Sequence, residues 1–154
     1  MDRVMNARFV APGALLLLSL VFAAAAGCGV SQKQSGLPAG AQAAIDGLTY
    51  DLSQGDYDKI YAEAADEWRQ TARADESRAN LERLRNALGG VLSRAQLSAQ
   101  ERAAGNDAQP SGRTLVVGYN TKFERADAIE TFTLVERQGR WRLARYAVNS
   151  NALR

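Results

Sequence analysis

The sequence predicts an α+β domain: three helices, then three clear antiparallel strands, with a weaker fourth strand between the two groups. Two observations predict it. Apolar residues recur with helical spacing up to residue 88 and alternate with strand spacing from residue 113, and the two patterns do not interleave. The stretch from Ala41 to Arg154 is also long enough to bury about two-thirds of its unfolded surface, which suffices for one core without disulfides.

Ala41, Ile45, Leu48 and Leu52 fall on one helical face and define the first helix, which Ser53-Gln54-Gly55 ends. Asp56 is suited to an N-cap and Asp58 to a first turn. Behind them Tyr57, Ile60, Tyr61, Ala64, Ala65 and Trp68 occupy i, i+3, i+4, i+7, i+8 and i+11, the pattern of one sustained second helix. A third helix is expected from Asp75 to Leu88. Leu81, Leu84 and Leu88 form its stripe, Arg78 and Glu82 pair one turn apart, and Gly89-Gly90 closes it.

Ser93–Glu101 alternates weakly and is the candidate fourth strand. Asn106–Gly112 reads as a loop. In Arg113–Glu124, Leu115, Val117, Tyr119, Thr121 and Phe123 share one face. Ala128–Arg137 is rich in Thr, Val, Ile and Phe. After the Gln138-Gly139 turn comes Arg140–Asn149, in which alternation sets Trp141, Leu143 and Ala147 opposite Ala144, Tyr146 and Val148. Strands that are apolar on both faces imply a sheet covered on one side and facing a pocket or partner on the other.

Composition removes several chemistries. Among 154 residues there is no histidine and one cysteine, and 19 Lys+Arg stand against 17 Asp+Glu. Without histidine there is no imidazole base, nucleophile-activating pair or imidazole metal ligand. A single cysteine allows no internal disulfide and no multi-cysteine zinc site. A charge of +2 gives no electrostatic case for nucleic acid. Asp46, Asp51, Asp56 and Asp58 lack calcium-loop spacing, and no phosphate-binding or nucleophile-elbow motif occurs, so neither metal nor cofactor is expected.

The N-terminus reads as an address. Arg3 and Arg8 precede an apolar stretch densest from Ala14 to Ala26, and small residues lead to the cysteine: Ala25-Ala26-Gly27-Cys28. That tetrapeptide resembles the lipobox of bacterial lipoproteins. The resemblance implies cleavage between Gly27 and Cys28, acylation of Cys28, and a lipid anchor that several acyl chains make stable. An uncleaved apolar anchor and simple secretion are the alternatives. Gly29, where inner-membrane retention would use Asp, implies the outer membrane by the same resemblance. Gly29–Gly40 has the composition of a tether, spanning roughly 20 Å. The mature chain is then a lipidated Cys28 and tether to residue 40, followed by a single domain, 41–154.

Charge is uneven along that chain. Asp46–Glu82 carries 10 acids and 4 bases, and Arg83–Arg154 carries 12 bases and 6 acids. The halves attract one another or are separately solvated; alternatively, a basic sheet face meets anionic lipid or lipopolysaccharide.

Gly89, Ser93-Arg94, Thr121-Lys122-Phe123, Glu130-Thr131, Leu134-Val135-Glu136 and Gly139-Arg140-Trp141-Arg142 with Tyr146 are similar, in order and spacing, to the bacterial domain-of-unknown-function family numbered 4019. Arg145 departs from that family's pattern, which tends to have Gly before the Tyr. The resemblance covers the chain from about Gly55. It implies a nuclear-transport-factor-two-like or cystatin-like fold, with helices in the hollow of a bent sheet, and it implies no known activity.

The residues that could carry function have structural readings beside the functional ones. Tyr57, Tyr61 and Trp68 form a helical core stripe, and the tyrosines could also line a pocket between helix and sheet. Trp141 and Tyr146 belong to a hairpin strand and bury aromatic surface or stack on a ligand. Glu130, inside an apolar strand, pairs across the sheet with Arg142 or Arg145, or else is a buried acid fit for proton transfer. The expected function is a non-catalytic binding or accessory module. Its expected partners are the membrane, through the lipid, and an envelope protein or small apolar ligand. The alternative is an isomerase- or dehydratase-type enzyme of the kind the implied fold supports, using Glu130 with Tyr119 and Tyr146.

Overall fold

The computed structural model describes residues 36–102 and 112–154, all within a compact unit, Gln34–Arg154. The cleavage and lipidation site at Gly27 and Cys28 lies outside the described residues, as do the start of the tether and residues 103–111. Among the described residues four helices precede a four-stranded antiparallel sheet: α1 (Ala39–Gln54), α2 (Tyr57–Glu63), α3 (Asp66–Thr71) and α4 (Ala74–Leu88), then β1 (Val91–Arg102), β2 (Arg113–Phe123), β3 (Asp127–Arg137) and β4 (Arg140–Asn149). The spatial order is β1-β2-β3-β4. A 3-10 turn, Asn151–Leu153, follows β4, so not all helical structure precedes the sheet. Among the described residues no helix is long and apolar enough to cross a membrane.

The α+β order and the fourth strand agree with the sequence, and β1 extends the expected segment at both ends. Three expectations are corrected. The first helix begins at Ala39 rather than Ala41, and Leu37, expected in the tether, packs against the core. The second helix is two. Ala64 and Ala65 are extended, because the Ala65 N–H donates to the Leu143 carbonyl of β4 at 2.8 Å. Arg69 donates to the carbonyls of Ala62 and Ala64, which the break leaves without helical partners. The side chain of Arg78 reaches Asp58 on α2 instead of Glu82, tying α4 to α2. Asp56 does stand at the N-cap position, but its side chain makes no capping bond.

One face of β2, from Leu115 to Phe123, is buried as its alternation predicts. Leu115, Val117 and Tyr119 of that face meet Phe132 and Leu134 of β3, Leu143 of β4, and Ala41, Ile45, Leu48, Ile60, Trp68 and Leu81 of the helices, while Phe123 packs with Leu88 and Ala128. The acidic and basic halves touch through Arg137, which pairs with Glu67 and Asp66.

Gly89, which joins α4 to the sheet, has φ 79° and ψ −160°, a region essentially reserved for glycine. A Cβ there would overlap the Glu124 carboxylate, which accepts a bond from the Gly90 N–H at 2.9 Å. Gly89→Ala is therefore expected to cost about 1–3 kcal/mol, read as a lower urea midpoint at unchanged slope.

Candidate functional site

Glu130 is the polar centre of the core. Its alternation on β3 aims it at the same side as Phe132 and Leu134, and it is completely buried. An isolated carboxylate there would be very costly, so the fold must supply donors. It supplies four. Arg94 Nε donates to Oε2 at 2.6 Å and Arg94 Nη2 to Oε1 at 3.0 Å. Tyr146 Oη donates to Oε1 at 2.5 Å, and Thr121 Oγ1 donates to Oε2. Arg94 Nη1 then donates to Thr49 Oγ1 at 2.8 Å, fastening α1 to the cluster. The guanidinium also lies over the rings of Tyr119 and Phe132, 5.5 and 5.3 Å from their centroids.

Two β-bulges build this arrangement. In β1, Val91 pairs with Phe123 and Ser93 with Lys122, so Leu92 is an extra residue. Plain alternation from Val91 would turn Arg94 away from the core; the bulge brings it opposite Thr121 and inward. In β4, Leu143 faces Leu134 while Arg145 faces Thr133, so Ala144 is the extra residue. Beyond it Tyr146 faces Phe132 and Val148 faces Glu130, on the same side as Trp141 and Leu143. This reverses the face that strict alternation assigns to Tyr146 and Val148. It also corrects the ion pair: the partner of Glu130 is Arg94, not Arg142 or Arg145.

Three cavities border the cluster: one of about 630 Å³ touches Arg94 and Thr121, and Leu84 and Tyr146 line the other two. One, of about 460 Å³, is bounded by Thr49, Tyr50, Arg85, Gly90 and Arg94, with Glu130 at its wall. The other, of about 700 Å³, lies among Trp68, Leu81, Val116, Val135 and Ala144. Of the sequence candidates, Glu130, Tyr119 and Tyr146 thus come together. Tyr57 and Tyr61 are half-buried against the core, and Tyr61 Oη donates to the Ala72 carbonyl at 3.3 Å. Trp141 lies apart, beside Gly40 and under Arg113, in a hollow of about 150 Å³ that includes Leu48 and Ile60. Arg94, Thr49 and Thr121 complete the site without standing out as candidates in the sequence; Ser93-Arg94, within the family-like pattern, is the one local signal of Arg94. Among the described residues no group of three Cys, His, Asp or Glu side chains could hold a metal ion.

Burial first, then the negative charge of Glu130 and the hydrogen bond to it, push the Tyr146 phenol well above its ordinary pKa. Burial also raises Tyr119, against the opposing charge of Arg94. Both phenols keep their protons longer in the folded than in the unfolded chain. Their contribution to stability is thus complete below the unfolded tyrosine value of about 10 and is lost as pH rises above it. Tyr146→Phe should flatten the fall of the urea midpoint above pH 10. An unchanged alkaline slope would show that the phenol is not held this way.

A comparison with curated proteins found no match to the chain. The model of the family described as protein of unknown function (DUF4019) matches residues 47–146, which includes Glu130, Arg94, Thr49, Thr121 and Tyr146. That match covers roughly two-thirds of the sequence, and the chain belongs to this family.

Proposed function

We propose that the protein is a bacterial envelope lipoprotein, anchored through Cys28 and facing the periplasm, with the outer membrane favoured over the inner. Its domain is a nuclear-transport-factor-two-like or cystatin-like module that binds a small apolar ligand without transforming it. The observation that carries this reading is the saturation of Glu130. Both carboxylate oxygens accept two bonds each, so the one buried acid of the site serves as a structural anchor rather than as a base open to substrate. The adjoining cavities supply volume of the size that small ligands use. An envelope protein as partner is the other form of the same reading. The isomerase or dehydratase alternative draws on the protonated Tyr146 phenol beside Glu130 at a cavity wall.

The test uses the full chain purified from envelope and a panel of small apolar molecules, read by thermal shift and by mass spectrometry of what is recovered. A ligand that raises Tm and returns unchanged supports the module. A rearranged or dehydrated product supports the enzyme instead. Anchoring is tested separately: Cys28→Ala should abolish incorporation of radiolabelled palmitate and shift the apparent mass, and continued labelling would remove the lipobox assignment.

A further inference from the structure

We propose that the cavity of about 700 Å³ takes a single-chain amphiphile with an anionic head group, the chemistry of a long-chain carboxylate. The chain would lie against Trp68, Leu81, Leu84 and Val116, with the head group toward Arg102 and Arg145. The proposal rests on the binding-module reading and specifies its ligand.

The apolar half of the argument comes from satisfied polar atoms. The two aromatics that line the cavity have already spent theirs: Trp68 Nε1 donates to Ser77 Oγ at 3.0 Å, and Tyr146 Oη donates to Glu130. What remains for a ligand is ring surface, beside Leu81, Leu84, Val135 and Ala144. A hydrocarbon suits that surface, and the hydroxyls and amide that also line the cavity, on Thr71, Ser77, Asn80, Thr114 and Thr133, are neutral.

The anionic half comes from charge. Arg102 on β1 and Arg145 on β4 are exposed and line the cavity, opposite Thr114 and Thr133. No ion pair holds either guanidinium among the described residues. Among the described residues the one acid in the lining is Glu67. Arg137 binds its Oε1, and its Oε2 is buried without a hydrogen-bond donor. A carboxylate is repelled at the Glu67 corner and drawn to the margins where the two arginines stand. Their attraction is of the screened, surface kind, so it selects the sign of the head group while the chain supplies most of the affinity.

The experiment uses fragment 34–154, which contains every core residue described above, with a single cooperative melt as control for each variant. The probe is 12-bromododecanoate, kept below its micellar concentration, whose bromine quenches an indole only on contact. Saturable quenching is expected in the parent and in Trp141→Phe, and its loss in Trp68→Phe, because Trp141 lines a different hollow. Displacement by dodecanoate should be about fifteenfold tighter than by decanoate, about fourfold per methylene. The double variant Arg102→Gln, Arg145→Gln should weaken dodecanoate at least tenfold and leave dodecanol unchanged. If dodecanol binds the parent as tightly as dodecanoate, or the double variant weakens both alike, the anionic head group is wrong and the module reading stands. If 12-bromododecanoate leaves Trp68 unquenched and neither dodecanoate nor dodecanol shifts Tm, the amphiphile is overturned, while the apolar-ligand reading is decided separately by the ligand panel.

Discussion

Arg94→Met is expected to destabilise the fold by about 3–5 kcal/mol, a large share of the 5–15 kcal/mol that typically holds a domain together. The reason is what it leaves behind. Glu130 stays completely buried, its two remaining donors are the neutral hydroxyls of Thr121 and Tyr146, and the cation that faced both oxygens is gone. Thr49 also loses its bond from Arg94, which loosens α1 over the sheet. The loss should be largely reversed by Arg94→Met, Glu130→Gln, since an amide oxygen can still accept from the hydroxyls and no charge remains to be desolvated. Urea unfolding of the two single variants and the double closes the cycle. A cost below about 1 kcal/mol for Arg94→Met would mean that the pair is solvated and worth no more than a surface salt bridge.

That network marks where sequence reasoning stops. The order of elements was legible, because each element announces itself within a dozen residues: Leu115 to Phe123 alternates, and Leu81, Leu84 and Leu88 recur at helical spacing. Glu130 was singled out for the same local reason, a carboxylate in an apolar strand. Its partner was not, because Arg94 lies 36 residues away and its orientation depends on one extra residue at Leu92. Alternation counts positions and has no means of seeing a bulge. One bulge hid Arg94 and a second, at Ala144, put Tyr146 on the wrong face. Arg145 sits in the step just after that second bulge, exposed where its bulk meets no core. The break at Ala64-Ala65 was equally nonlocal. Both residues favour helix, and the competing hydrogen bond to Leu143 comes from a strand nearly eighty residues on.

Phe132→Ala should be comparably severe, at about 3–5 kcal/mol, for a different reason. The ring is fully buried and wedged between Tyr119, edge-on at 5.7 Å and 86°, and Tyr146 at 5.0 Å, with the Arg94 guanidinium above it. Those neighbours cannot close the void. Arg94 and Tyr146 are held by Glu130, and Tyr119 stands on the central pairing of β2 with β3. A site that cannot collapse lies at the costly end of large-to-small substitutions. Phe132→Leu separates volume from ring chemistry. It keeps much of the apolar volume but removes two aromatic contacts and one face for the guanidinium, and it should cost about 1–3 kcal/mol. Part of that cost should vanish in the Arg94→Met background, where there is no cation left to meet the ring. Fully additive losses would show that Phe132 only fills space. A coupling energy nearly as large as the Phe132→Leu loss itself would instead identify the aromatic pair and the ion pair as one unit, with Tyr146, which lines the cavities of about 460 and 700 Å³, positioned by each.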